Sequence, residues 1–339
     1  MRLKRRFAST LLGSAAALAA VAQPIDRAAL IEVAPSVLKI EALTPEGRFQ
    51  LGSGVIVGAG QVVTNCHVTR HAARVHVVKG GVRWTATLQS ADLQHDLCLL
   101  RVPQLEGEPV RIARASALRV GQSLMAMGYT GGVGMQLSEG EVVALHRYDG
   151  SEIVQSSNWF NSGASGGGLF DASGALVGIL TFRLRGGAAH YFAAPADWLL
   201  ARLPIERDFV SVAPLQGKTF WEESADAQPF FLQAATLEQN EQWQALAQLA
   251  ERWSREAQDD PEAAYLLGLA YDGLKRHHAS IAALQRCLEI DSNYVRAWAR
   301  LATVYKRQGQ QQDMRRALTR LASLDPKQAN ELSIELERQ

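Results

Sequence analysis

Three side chains far apart in the chain could together break an acyl bond: His67, Asp96 and Ser165, in that order. Ser165 lies in "NSGASGGGLFDASG" (161–174), with glycine on almost every side. A serine hydroxyl is a weak nucleophile until a base takes its proton and a third group orients that base. His67, in "VVTNCHV", ends one β-like run, and Asp96, in "QHDLCLLRV", starts another. Two other readings of the glycine run fail. Gly163-Ala164-Ser165-Gly166-Gly167 fits G-x-S-x-G, but that elbow needs a helix after the serine, and "GLFDASGALVGIL" reads as strand, turn and strand. The elbow also needs its acid and histidine downstream, where His190 is the only histidine before the helical region. A phosphate loop needs a lysine followed by Ser or Thr after the glycines, and none is there.

The elements that must position these residues come in two kinds. From about residue 35 to 195 the chain is a series of short runs rich in Val, Ile, Leu and Thr, bounded by glycine or polar turns. Their spacing of roughly ten residues predicts an all-β sandwich or barrel. No amphipathic helix separates them, which excludes a parallel α/β sheet. From about residue 226 the period becomes helical and repeats: Leu267, Gly268 and Tyr271 recur as Leu301, Ala302 and Tyr305, and Leu284 and Asp291 as Leu318 and Asp325. The interval is the 34-residue tetratricopeptide period. Residues 229–257 read as a degenerate earlier helix pair and 327–337 as a polar cap. One repeat cannot bury its own face, so roughly three stacked units are expected, with a groove for a protein partner. Between the halves, 211–228 reads as a linker whose Phe220 and Trp221 could dock on a domain.

"GSGVIV…QVVTNCHV", "HDLCLLRV", "IVQSSNWFNSGASGGGLFDASGALVGI" and "YFAAPADW" resemble, in order and spacing, segments of the HtrA/Deg family of trypsin-like serine proteases, over roughly residues 30–200. The resemblance implies a chymotrypsin-like pair of six-stranded β-barrels with a site in the cleft between them, and endopeptidase activity. It implies that Ser165 attacks the scissile carbonyl, His67 shuttles the proton, and Asp96 orients the imidazole. It further implies an oxyanion hole from the N–H groups of Gly163 and Ser165, worth about 3–4 kcal/mol of barrier per donor. Substrate contacts are expected at Trp159, Phe160, Thr181, Phe182 and Arg183.

The sequence also departs from the family. Ala164 stands where the family has Asn and where digestive relatives have Asp, so activation by an N-terminal ion pair is not expected. Helical repeats replace the usual C-terminal peptide-binding module. No aspartate stands six residues before Ser165, which points to a small or medium apolar residue on the acyl side of the cut bond.

Bulk properties set the remaining limits. The chain has 339 residues, 47% hydrophobic and 20% charged, with a net charge of +1, which argues against nucleic acid as a dominant partner. "MRLKRRF", an apolar run and Ala20-Val21-Ala22 read as a signal peptide over 1–22, so a periplasmic or secreted location is expected and no membrane span should remain after cleavage. The protease domain is expected over 23–210 and the repeats over 229–339. Cys66 and Cys98 read as two buried thiols, with a disulfide as the alternative; no cysteine pair has metal-ligand spacing, and neither metal nor cofactor is expected. His71, His76, His95, His146 and His190 read as surface residues. Two functions follow: an active serine endopeptidase with a partner-binding repeat domain, or a protease-like scaffold that no longer cuts. The intact His-Asp-Ser set and the glycine at 163 favour the first.

Overall fold

The structure is a computed structural model that describes residues 25–131, 134–184, 190–203 and 208–338. The signal segment predicted over 1–22 lies outside the described residues. After a short helix, α1 (Arg27–Val33), come the strands β1 (Val37–Leu43), β2 (Phe49–Gly58), β3 (Gln61–Thr64), β4 (Arg74–Lys79), β5 (Val82–Thr85), β6 (Leu88–Asp92) and β7 (Leu97–Arg101), with a single helical turn, α2 (Cys66–Thr69), after β3. The second set is β8 (Ser123–Thr130), β9 (Gly134–Tyr148), β10 (Ser151–Ser156), β11 (Gly168–Asp171), β12 (Leu176–Arg183) and β13 (Tyr191–Pro195). A helix, α3 (Ala196–Arg202), and a short strand, β14 (Val210–Ser211), follow.

The second set closes into a six-stranded barrel. The first set does not close. It is an eight-stranded sheet in the order β14-β6-β7-β3-β2-β1-β4-β5, curled into a half-barrel, with β14 contributed by the segment that leaves α3. The two together are the chymotrypsin-like arrangement, with one barrel open where the resemblance implied two closed ones. "WTATLQS" is not one strand: the chain breaks around a buried Ala86, so β5 pairs with β4 and β6 with β7. Val55, Val63, Leu97 and Leu99 from the half-barrel meet Met125, Met127, Phe170 and Leu176 from the closed barrel in one core.

The helical half is α4 (Phe230–Gln239), α5 (Trp243–Glu256), α6 (Pro261–Gly273), α7 (His277–Ile290), α8 (Val295–Arg307), α9 (Gln311–Leu324) and α10 (Pro326–Arg338). The repeating positions do what their size suggests. Leu284, Leu301 and Tyr305 are buried between helices, and Ser280 Oγ donates to the Gly268 carbonyl at 2.7 Å where α6 and α7 run close.

The first helix of a pair faces the chain's own closed barrel. Glu262 of α6 bonds His146 Nδ1 of β9 at 2.8 Å, and Phe231 of α4 stacks on the same imidazole at 4.7 Å between centroids. Lys327 of α10 pairs with Glu141 of β9 at 3.0 Å, and Arg147 donates to the Asp259 carbonyl at 3.1 Å. His146 is therefore not a surface residue; it is 3% exposed at the centre of this contact. An open cavity of about 700 Å³, lined by Arg119, Arg147, Arg296 and Arg320 among others, remains between α8 and the barrel. Because Phe231 is 2% exposed and bridges both halves, Phe231→Ala should lower stability by about 3–4 kcal/mol. It should also open residues 211–229 to limited proteolysis. Unchanged melting and cleavage would show that the halves do not support each other.

Candidate active site

The half-barrel brings His67 and Asp96 together. β3 and β7 are antiparallel neighbours with Thr64 opposite Cys98, so the residues just beyond each strand end meet at one rim. Asp96 is fully buried and sits at φ +59°, a left-handed conformation that an aspartate tolerates better than most residues. That backbone turn points both carboxylate oxygens at His67. Oδ1 accepts the His67 backbone N–H at 2.8 Å, and Oδ2 lies 2.6 Å from His67 Nδ1. The Asp96 carbonyl accepts from Asn65 Nδ2 at 2.9 Å and from the Cys66 N–H at 3.3 Å.

Cys66 and Cys98 are joined by a disulfide, with their Cα atoms 4.8 Å apart. The reading of two separate thiols is thereby corrected. The reason is the β3–β7 register, which carries the two chains side by side immediately next to His67 and Asp96. The bridge ties the histidine segment to the aspartate segment across 32 residues of sequence.

Ser165 reaches the same cleft from the closed barrel. Its carbonyl accepts the Ser53 N–H at 2.8 Å, which docks the glycine run on β2. Ser53 Oγ donates to the Gly163 carbonyl at 2.8 Å and accepts from the Tyr129 N–H. Gly163 has φ +99°, and a Cβ there would lie 2.5 Å from the Tyr129 carbonyl. Gly166 has φ +86°, and a Cβ there would lie 2.1 Å from the Ser53 carbonyl. Neither position accepts another residue without moving backbone. Among the described residues, the N–H groups of Gly163 and Ser165 donate to no acceptor. After Ser165 come β11, a turn and β12, so the elbow reading fails in structure as in sequence.

Ser165 Oγ donates to the Thr181 carbonyl at 3.2 Å and, among the described residues, makes no hydrogen bond with His67. Ala164 is 2% exposed, and a Cβ on Gly128 would meet its Cβ at 3.0 Å. The alanine side chain at 164 carries no group that could form an ion pair.

The expected substrate contacts divide. Trp159 and Arg183 are exposed. Phe160 is 6% exposed and packs against Tyr191 at 5.2 Å, within the barrel core. The Thr181 hydroxyl is committed to the fold: it donates to the Ile179 carbonyl and accepts from Ala194 N–H and Asn65 Nδ2. Phe182 lies between the rings of Phe192 (4.8 Å) and Trp221 (5.3 Å).

Trp221 comes from the segment read as a linker. It sits in a single 3-10 turn, Phe220–Glu222, closed by Glu222, whose carboxylate accepts the Thr219 N–H at 3.2 Å while its own N–H donates to the Thr219 carbonyl at 3.0 Å. Its indole N–H donates to Asp96 Oδ2 at 3.2 Å, and its ring stands edge-on to His67 at 5.3 Å. Glu222 forms a two-armed ion pair with Arg70, at the end of α2. Burial raises the Glu222 pKa, and the Arg70 guanidinium outweighs it, so the carboxyl titrates below its usual range. The sequence signal for this docking was two aromatics in an otherwise polar stretch.

A second imidazole lies beside Asp96. His95 Nδ1 meets Asp92 Oδ2 at 2.8 Å, and Nε2 meets Asp149 Oδ2 at 2.7 Å. The ring stacks on Trp198 at 4.0 Å, so His95 is half-buried rather than a plain surface residue. Burial opposes its charge, but the two carboxylates prevail and raise its pKa above the ordinary imidazole value.

The domains of the chain have counterparts among known proteins. Residues 52–179 match the trypsin-like peptidase domain family, and residues 261–294 and 295–328 each match the tetratricopeptide repeat. The chain carries a trypsin-like peptidase domain followed by tetratricopeptide repeats. Its peptidase domain is 31% identical over 212 residues to serine protease HTRA4 of Mus musculus, covering 56% of this chain and 43% of that protein. It is 35% identical over 159 residues to the periplasmic pH-dependent serine endoprotease DegQ of Escherichia coli, covering 43% and 35% respectively. The chain thus spans less than half the length of these relatives. Among solved structures, the active form of the Rv3671c protease from M. tuberculosis aligns at a TM-score of 0.51 and 23% identity, over 62% of this chain and 99% of that one, a likeness of fold.

Two outcomes follow from this geometry. Reducing the Cys66–Cys98 bridge, or replacing both cysteines by alanine, should cost about 3–4 kcal/mol, the scale for a loop of this length. Denaturant melts with and without reductant measure it, and identical midpoints would contradict it. His95, with its raised folded pKa, contributes stability fully below the ordinary imidazole pKa of about 6.5 and loses it as pH rises through the folded value. His95→Gln should therefore cost more unfolding free energy near pH 5.5 than near pH 9. An equal cost at both would mean the imidazole is not held charged.

Proposed function

We propose that this chain is an exported serine endopeptidase whose nucleophile is Ser165, with His67 as base and Asp96 as the group that orients the base. The observation that carries the reading is the buried Asp96 carboxylate bonded to both the backbone and the ring of His67, at a cleft that also holds Ser165. In the proposed reaction the Ser165 hydroxyl turns from the Thr181 carbonyl to His67 Nε2. Oγ attacks the scissile carbonyl carbon as its proton passes to Nε2. The imidazolium is held by Asp96, and the same proton then goes to the leaving amine. The N–H groups of Gly163 and Ser165 are the proposed donors to the oxyanion. Water repeats the sequence on the acyl-enzyme and frees Ser165.

Substrates are proposed to pair along the Thr181–Arg183 edge as an added strand. The residue six positions before Ser165 is Trp159, and Phe160 fills the space behind it, which supports a small or medium apolar residue on the acyl side. The disulfide supports an oxidising compartment such as the periplasm. Tetratricopeptide repeats are protein-binding modules, and here α4, α6 and α10 bind the chain's own barrel. An external partner is proposed to use the cavity beside α8.

One observation favours the scaffold alternative: Ser165 Oγ is bonded to Thr181 rather than to His67. Labelling with a fluorophosphonate probe separates the two. The proposal expects label on the wild-type chain that disappears in Ser165→Ala and falls by about three orders of magnitude or more in His67→Ala. Absence of Ser165-dependent label would leave the scaffold reading.

A further inference from the structure

We infer that Trp221 is a positioning residue of the active site, supplied from outside the peptidase barrels, and that the segment joining the two halves is part of the catalytic apparatus. This rests on the reading of Ser165, His67 and Asp96 as a hydrolytic set. Asp96 is fully buried, so each lone pair of its carboxylate without a donor is costly. Oδ1 has the His67 backbone N–H, and Oδ2 has the His67 ring. The indole N–H of Trp221 is the further donor, also to Oδ2. A donor here holds the carboxylate in the plane in which its other oxygen lone pair meets Nδ1. The indole ring stands T-shaped to the imidazole and is itself stacked on Phe182, so it restricts how His67 can turn.

The position of Trp221 is itself well determined. The segment is laid along the rim of the half-barrel by a series of bonds: β14 to β6, Gln89 Nε2 to the Ala213 carbonyl at 2.6 Å, Leu215 N–H to the Arg70 carbonyl at 2.6 Å, and Phe220 N–H to the Gln94 carbonyl at 3.1 Å. The Glu222–Arg70 pair then fixes the turn to the helix that carries His67. From the other side, Gln228 Nε2 donates to the Trp221 carbonyl at 3.0 Å, and Gln233 of α4 donates to the Gln228 carbonyl at 2.6 Å. Phe220 lies between Tyr148 of the barrel and Phe231 of α4. Trp221 lies beyond residue 179, where the match to the peptidase family ends, so that match does not predict the contact.

The test is kinetic and uses the full chain. Trp221→Phe keeps a ring between His67 and Phe182 and removes only the N–H. The rate constant for fluorophosphonate labelling should fall about tenfold, the value of one hydrogen bond to a buried charge. With p-nitrophenyl acetate as the ester probe, kcat should fall by a similar factor while KM stays within about twofold, because the defect lies in proton transfer rather than binding. Glu222→Gln, which weakens the tether but keeps the indole, should give a smaller drop in the same direction. The thermal midpoint of each variant is measured alongside, so that loss of fold is separated from loss of positioning. Equal labelling rates for wild type and Trp221→Phe, or a change confined to KM, would overturn the inference while leaving the proposed function intact. A wild-type chain that does not label at all would remove both.

Discussion

A carboxylate with no exposure to water has to be given donors, and Asp96 is that carboxylate. Burying an unpaired charge costs several kcal/mol, so whatever surrounds Asp96 must satisfy it before anything else is decided. The left-handed backbone at 96 makes the carboxylate face back toward His67. The β3–β7 pairing sets the distance, the Cys66–Cys98 bridge locks it, and Asn65 fixes the carbonyl side. The imidazole is thus oriented by the half-barrel together with the Trp221 indole laid on its rim. Ser165 comes from the other barrel, and its position depends on contacts across the cleft, chiefly Ser53 against Gly163 and Ser165.

Much of this was legible in the residues. The glycine run could be assigned because both alternatives demanded neighbours that were missing, and Gly163, Gly166 and Gly167 lie where backbone atoms leave no room for a side chain. The strand spacing predicted the β half, and the 34-residue recurrence predicted the stacked helix pairs. What the residues did not reveal are contacts between segments distant in sequence. No local pattern says that Thr64 lies opposite Cys98, so the disulfide was undervalued. His146 lies in phase with the buried Val142 and Ala144 of β9, and it is covered by Gln155 and Phe192 of the barrel together with Phe231 of α4 and Glu262 of α6. The half-barrel stays open because its edge strands β5 and β14 find no partner in each other, a matter of tertiary geometry that strand composition does not encode.

The repeats change meaning once placed. A tetratricopeptide groove read from sequence is an adaptor for something else. Here its first helices hold the chain's own barrel through His146, Phe231 and Lys327, and the joining segment is held taut between the two. One hydrophobic core runs from Met127 and Phe170 through Phe220 and Phe231 into the helices, so the halves behave as one body rather than as two domains on a string. Ala164 belongs to the same logic. It packs in one apolar cluster with Phe160, Leu169 and Leu180, so the residue beside Ser165 is held by apolar packing and not by an ion pair.

The central claim is that His67 is held by Asp96 through Nδ1 before any substrate arrives. Nitrogen-15 NMR of histidine-labelled Ser165→Ala chain reads this directly. The expected result is a His67 Nδ1 proton that is strongly deshielded, slow to exchange and present without ligand. A His67 ring protonated on Nε2, or one whose Nδ1 proton exchanges as freely as that of an exposed histidine, would contradict it.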